Sequence, residues 1–224
     1  MPTFDAQWLL YKLILLPPLL FSLVLHEFAH ARTALAFGDP TAKSMGRLTL
    51  NPLAHLDPIG TLCIILVGFG WAKPVPVNPL NLEPRKLGDI AVSLAGPASN
   101  LMLAVIFGLL LRLWWTVGLT KSPTTFQAVH LYLLYIASVN ILLCTFNLIP
   151  LFPLDGHHVV REVLPLDSQE GFMHWQRRFG PILLMALIFG PNLLSMITRN
   201  PNIPDPLRWL FHHVRIIVLA ALGI

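Results

Sequence analysis

Apolar residues gather in stretches of helical length over about residues 7–37, 87–113, 128–149, 174–198 and 207–224. About 20 apolar residues match the thickness of a bilayer's hydrocarbon core, so the first four predict spanning helices, while the last is short enough to span or to lie at the interface. A further apolar piece, residues 59–70, is a dozen residues long and carries three glycines. Its length predicts a re-entrant, half-membrane segment, tolerated only where protein or a wet cavity satisfies its backbone. The connection that follows, Trp71 to Leu80, alternates proline with valine, and each proline removes one ladder donor. It is expected as extended chain, an edge strand rather than a helix. The pattern therefore predicts an all-α polytopic membrane protein of about five to six transmembrane helices, with a re-entrant segment and a short membrane-associated β element. With no internal repeat and no linker, residues 1–224 read as a single domain, with a core over about 20–160 and C-terminal helices over about 174–224.

Composition agrees. Of 224 residues 55% are hydrophobic and 12% charged, and the mean hydropathy is +0.67, well above what one soluble core requires. This excludes a soluble enzyme, a disulfide-stapled domain, a disordered chain and a nucleic-acid-binding module. The formal charge of +4 is to be read loop by loop as orientation, because cytoplasmic loops of membrane proteins carry the excess of Lys and Arg. Cys63 and Cys144 both lie in apolar runs and are expected as reduced core residues. The first apolar stretch is too long, and too polar in places, for a cleavable signal peptide.

Chemistry enters in the first span, where His26, Glu27 and His30 form an HExxH pattern. Histidines four residues apart project from one helical face and can chelate one divalent ion, with Glu27 beside them to take a proton from water at the metal. In hydrocarbon the signal gains weight, since each ionisable group there costs about 2.5–3.5 kcal/mol and persists only with a partner. Two histidines leave a catalytic zinc one protein ligand short. The remaining candidates are His55, Asp57, Asp155, His157 and His158, followed by His130, His174, His212 and His213. Asp155 stands out, because Pro150 and Pro153 break the helix before it and Gly156 permits a sharp turn, so its carboxylate can swing toward a bundle interior.

Taken in order, these motifs resemble the site-2 protease family of intramembrane zinc metalloproteases, specifically the compact bacterial and archaeal group without appended PDZ or CBS domains. The likeness rests on HExxH at 26–30, on Ala95-Gly96-Pro97 with Asn100, on the Gly70 to Asn78 segment, and on Asn147, Pro150, Pro153, Leu154, Asp155 and Gly156 as an N-x-x-P-x-x-P-L-D-G motif. It covers about residues 20–160. The resemblance implies one zinc per chain held by His26, His30 and Asp155, Glu27 as general base, and Asn147 as a donor to the oxyanion. It also implies peptide hydrolysis within membrane proteins. Gly96, Pro97, Asn100 and Gly156 are expected as structural support, Gly96 and Asn100 through close helix packing. Val75, Pro76 and Val77 offer an edge against which an unwound substrate could be held.

The ligands must also converge on one side of the membrane. If residues 59–70 crossed fully, three crossings would separate the HExxH helix end from Asp155; with that piece re-entrant there are two. The shared side then holds Arg32, Lys43, Arg47, Lys73, Arg85, Lys86, Arg161, Arg177 and Arg178, against Lys121 and Arg199 opposite. By the positive-inside rule that side is the cytoplasm. The expected setting is a multi-pass protein of a prokaryotic cell membrane, its active site toward the cytoplasmic face. Its expected partners are transmembrane protein or peptide substrates, membrane lipid and a second copy of itself, with no nucleic acid. A metal transporter and a silent helix-binding scaffold are the competing readings; Glu27 argues against transport, which needs no base that is not a ligand.

Overall fold

The computed structural model describes residues 6–67, 70–118 and 122–224; Gly68 and Phe69 of the re-entrant candidate, and Lys121, fall outside them. The chain divides into two compact units, Met1–Leu103 and Ala104–Ile224.

The first unit opens on α1 (Ala6–Ala36), which continues through Pro17 and Pro18. One turn beyond them the Ser22 hydroxyl donates to the Pro18 carbonyl at 2.8 Å. Two single-turn helices follow, α2 (Thr41–Ser44) and α3 (Pro52–His55). Next comes α4 (Pro58–Val67), ten residues within the short apolar piece. At about 1.5 Å per residue it is roughly 15 Å long, half a hydrocarbon core. The chain leaves near where it entered, because Leu56 and Ala72 form an isolated bridge and Lys73 N–H donates to His55 C=O at 2.7 Å. A Cβ on Gly70 would lie 3.0 Å from the Gly60 carbonyl carbon, and one on Gly60 would lie 3.0 Å from the Trp71 carbonyl carbon, which is why both are glycine. Among the described residues that bridge is the only pairing; residues 73–78 are extended without a strand and end in a 3-10 turn, Pro79–Asn81. The long helix α5 (Arg85–Val117) gives its residues up to 103 to this unit. Ala34, Leu82 and Val92 form a buried cluster with Phe37 and Val77 packed against it.

The second unit contains the rest of α5, α6 (Pro123–Asn147), α7 (Gly156–Val163), α8 (Leu166–Thr198) and α9 (Pro206–Ala221). Its core joins Ala104, Ile141 and Leu219, with Leu134, Val214 and Val218 around them. Helix α6 starts earlier than its apolar pattern because Ser122 caps it, accepting from Thr125 N–H, with Pro123 in the first turn. Helix α8 likewise begins eight residues before its apolar stretch, in a polar turn that hydropathy does not register.

Among the described residues, four helices are long and apolar enough to cross a membrane: Lys12–Ala36, Arg85–Val117, Pro123–Asn147 and Leu166–Thr198. Helix α9, with 16 residues, falls short of the usual span length. Large apolar side chains point outward along the spans, Met196 at 79% exposed, Ile182 at 65% and Met102 at 57% among them. A water-soluble surface avoids this; a lipid-facing one requires it.

Candidate metal centre

His26 and His30 lie one turn apart on α1, both buried, with their Nε2 atoms 3.0 Å from each other. Their outer nitrogens are each spoken for. His30 Nδ1 is 2.6 Å from the Val92 carbonyl oxygen, a group that can only accept, so Nδ1 carries the proton. His26 Nδ1 is 2.6 Å from Asn100 Oδ1, and the orientation of that amide is fixed because Asn100 Nδ2 donates to Ser22 C=O at 3.4 Å. In the neutral rings both Nε2 atoms are therefore lone-pair donors facing one another. Such a pair is repulsive until a cation lies between, and anchoring a ligating histidine through its other nitrogen is how proteins orient metal ligands. The donor set fits zinc, whose preferred ligands include neutral imidazole.

Gly96 explains how helix α5 approaches so closely. A Cβ there would lie 2.5 Å from His26 Nε2 and closer still to His30 Nε2, so only glycine leaves the imidazoles their place. Gly96 and Asn100 were expected to serve helix packing. The structure assigns them more: Gly96 clears space for the imidazole pair, and Asn100 holds one ring in orientation. Pro97, between them, is fully buried.

Glu27 is half-buried beside the histidines, and its Oε2 accepts a hydrogen bond from Val75 N–H at 2.9 Å. Val75 belongs to the extended segment 73–78, so the structure brings one of the predicted substrate-edge residues to the predicted base. Two charged residues hold the ends of this segment. Arg47, buried, donates through Nη2 to the carbonyls of Lys73 at 2.7 Å and Pro74 at 3.0 Å, and through Nη1 to Ala54 C=O. Asp39, fully buried, accepts at Oδ2 from Asn78 N–H at 2.8 Å and at Oδ1 from the Asn81 amide at 2.9 Å, with Thr41 N–H and hydroxyl completing its shell. Burial alone would raise the Asp39 pKa, but the bonds from Thr41, Asn81 and Asn78 outweigh it and hold the carboxyl below its ordinary value. Neither role was foreseen. A charged residue in so greasy a chain was the available signal, but not its partners.

In the second unit, Asn147 ends α6 and its Nδ2 donates to the Leu143 carbonyl at 3.0 Å. A turn through Pro150 and a cis Phe152–Pro153 bond leads to Asp155. Asp155 stands at the N-terminus of α7 yet makes no side-chain capping bond to that helix, although aspartate there usually does. Gly156 is required, since a Cβ would lie 2.6 Å from the Leu148 carbonyl carbon and 2.7 Å from Ile149 O. The turn is fastened by a residue that the sequence pattern did not single out. Gln176 of α8, 1% exposed, accepts from Phe152 N–H at 2.9 Å and donates to Pro150 C=O at 2.8 Å.

The remaining histidines separate by environment. His157 is buried, bonds to the Leu154 carbonyl, and is held below its ordinary pKa chiefly by burial. His55 Nε2 donates to Thr49 C=O at 2.7 Å, and Asp57 accepts from Gly60 N–H at 2.8 Å in the first turn of α4. His130 lies beside Trp115, while His174, His212 and His213 are exposed. Both cysteines are free, but only Cys144 is buried; Cys63 is half-buried on α4.

Among the described residues, four membrane-length helices and a buried imidazole pair with facing Nε2 atoms mark a polytopic membrane protein with a candidate divalent-metal site. Residues 14–189 match the pattern of peptidase family M50, and the chain belongs to that family, the site-2 proteases. It is 40% identical over 189 residues to "Putative zinc metalloprotease YwhC" of Bacillus subtilis (strain 168), covering 83% of this chain and 86% of the relative. It is 32% identical over 179 residues to "Putative zinc metalloprotease Rip2" of Mycolicibacterium smegmatis, covering 78% of this chain and 66% of that protein. Similarity at 28% identity over 183 residues extends to "Zinc metalloprotease MJ0392" of Methanocaldococcus jannaschii, covering 80% of this chain and 42% of that one. No solved structure matches.

Proposed function

We propose that this protein is a zinc endopeptidase that hydrolyses peptide bonds within or near transmembrane segments of membrane proteins, with one zinc per chain held by His26, His30 and Asp155. The observation that carries the reading is the imidazole pair, each ring anchored through Nδ1, with a glutamate at the intervening HExxH position. Asp155 completes the set on the motif it shares with the family.

Held by these residues, zinc would supply Lewis acidity toward the scissile carbonyl and toward water. Glu27 takes the proton from the attacking water and returns it to the leaving amine nitrogen. The Asn147 amide, which carries a second N–H beyond the one bonded to Leu143, donates to the oxyanion as the carbonyl turns tetrahedral. A substrate helix must first unwind, because its amides are hydrogen-bonded and sterically hidden. The segment around Val75, Pro76 and Val77 holds the unwound stretch by strand addition, acting as the membrane-associated β element.

In this reading α4 is the re-entrant piece and residues 59–70 enter and leave on one side. The ten-residue helix and the Leu56–Ala72 bridge support it. The active site then faces the cytoplasm of a prokaryotic cell, and α9 adds a fifth span or an interfacial helix. The test is to incubate the purified protein in detergent with a panel of single-span membrane proteins, with and without a chelator, beside Glu27→Gln. Chelator-sensitive cleavage that Glu27→Gln abolishes is expected; cleavage that survives in Glu27→Gln contradicts the assigned base.

A further inference from the structure

Segment 73–78 reads Lys-Pro-Val-Pro-Val-Asn, and because Pro74 and Pro76 have no N–H, Val75 supplies the single backbone donor of residues 74–76. That donor is given to Glu27 Oε2 at 2.9 Å. Both flanks of the bond are held by buried charges that are spent on backbone: Arg47 on the Lys73 and Pro74 carbonyls, Asp39 on Asn78 N–H. Burying a charge is costly unless it is fully hydrogen-bonded, and buried charges are weak contributors to stability compared with apolar residues of similar size. Two of them, of opposite sign, at the two ends of one six-residue segment fix its position.

We infer that Arg47 and Asp39 are positioning residues for Glu27, acting through the taut 73–78 segment. With its ends fastened and its interior stiffened by two prolines, the segment presents Val75 N–H at a set point. That bond commits Oε2 and leaves Oε1 as the oxygen that exchanges the proton with water. A displacement of about 1 Å in such a group can cost about 100-fold in rate, which gives distant anchors their leverage. The inference rests on Glu27 as the base of the proposed reaction, but the geometric link can be tested without any cleavage. It also bears on substrate: Val75 N–H is already used, so a bound strand draws on other groups, Val77 N–H and the carbonyls of 75 and 76.

The experiment uses the full chain, zinc-loaded in detergent micelles and labelled with 15N-valine, with the Val75 amide assigned by its disappearance in Val75→Ala. In Glu27→Ala the Val75 amide proton is expected to move upfield and to exchange about tenfold faster, as its carboxylate acceptor is lost. Arg47→Met, which frees the carbonyls of Lys73 and Pro74, should speed Val75 exchange to a similar degree, and Arg47→Lys should restore part of the protection. The exchange rate is the readout, because Pro74 C=O shares a peptide unit with Val75 N–H, whose shift responds to the lost Arg47 bond directly. Folding of each variant is checked by the unchanged amides of Val24 and Val92, buried valines of the same unit. A Val75 amide whose exchange Arg47→Met leaves unchanged overturns the inference. So does one that is indifferent to Glu27→Ala, since the bond would then be absent. In parallel, a fluorogenic single-span peptide is cleaved by wild type, Arg47→Met and Glu27→Gln. Lower kcat in Arg47→Met is expected, and unchanged kcat overturns the inference. Activity surviving in Glu27→Gln contradicts the base assignment instead, whatever the Val75 amide shows.

Discussion

His26 Nδ1 and Asn100 Oδ1 meet at 2.6 Å, tying the motif helix α1 to α5 through the one ring nitrogen that a metal does not need. The contact sets tautomer and ring plane together. Outer partners of this kind typically contribute about 10–100-fold to metal affinity. Asn100→Leu is therefore expected to weaken zinc retention by about that factor, read as competition against a graded series of chelators, while Asn100→Asp, which keeps an acceptor, loses less. Equal retention in Asn100→Leu would remove the ring-orienting role.

Gln176 bridges Phe152 N–H and Pro150 C=O with both ends of its amide. Gln176→Ala removes the partner of two partly buried backbone groups, at up to about 1 kcal/mol each. A clear fall in melting temperature is expected, and with it weaker zinc binding, because the turn leads directly to Asp155. A variant that melts lower yet holds zinc as tightly as wild type would show that Gln176 serves stability alone.

Asp39 gives the pH dependence its sign. Its folded pKa lies below the unfolded value of 3.8, so its stabilising contribution is complete above about pH 4 and disappears as the pH falls through the folded value. Thermal denaturation of wild type and Asp39→Asn should differ most at neutral pH and converge as the pH drops below about 4. A gap that stays constant down to pH 3 would contradict the hydrogen-bonded carboxylate.

The motif itself was legible because an i, i+4 pair needs only helical geometry, and because ionisable side chains persist in an apolar span only where something binds them. The spans were legible from length and hydropathy, though the polar first turns of α6 and α8 were not, since caps and helix-forming polar residues leave hydropathy unchanged. The partners stayed hidden: Asn100 lies 74 residues from His26, and Val75 lies 48 from Glu27. Periodicity says which face a residue takes, and these long-range meetings depend on how helices stack. Gln176 carried no local signal beyond a polar amide near the start of an apolar run.

Residues 43 and 73 test the path of α4. Single cysteines placed there, in a chain whose Cys63 and Cys144 are replaced, should both resist an impermeant thiol reagent in intact cells and react after permeabilisation. The short helix and the Leu56–Ala72 bridge argue for entry and return on one face. Labelling of position 73 alone in intact cells would mean that the segment crosses fully, and Asp155 would end on the wrong side.

Most direct of all is the zinc content of purified wild type, Glu27→Gln and Asp155→Ala after dialysis against a weak chelator. One zinc per chain is expected in wild type and in Glu27→Gln, and little or none in Asp155→Ala. Stoichiometric zinc held undiminished by Asp155→Ala would contradict the proposed ligand set.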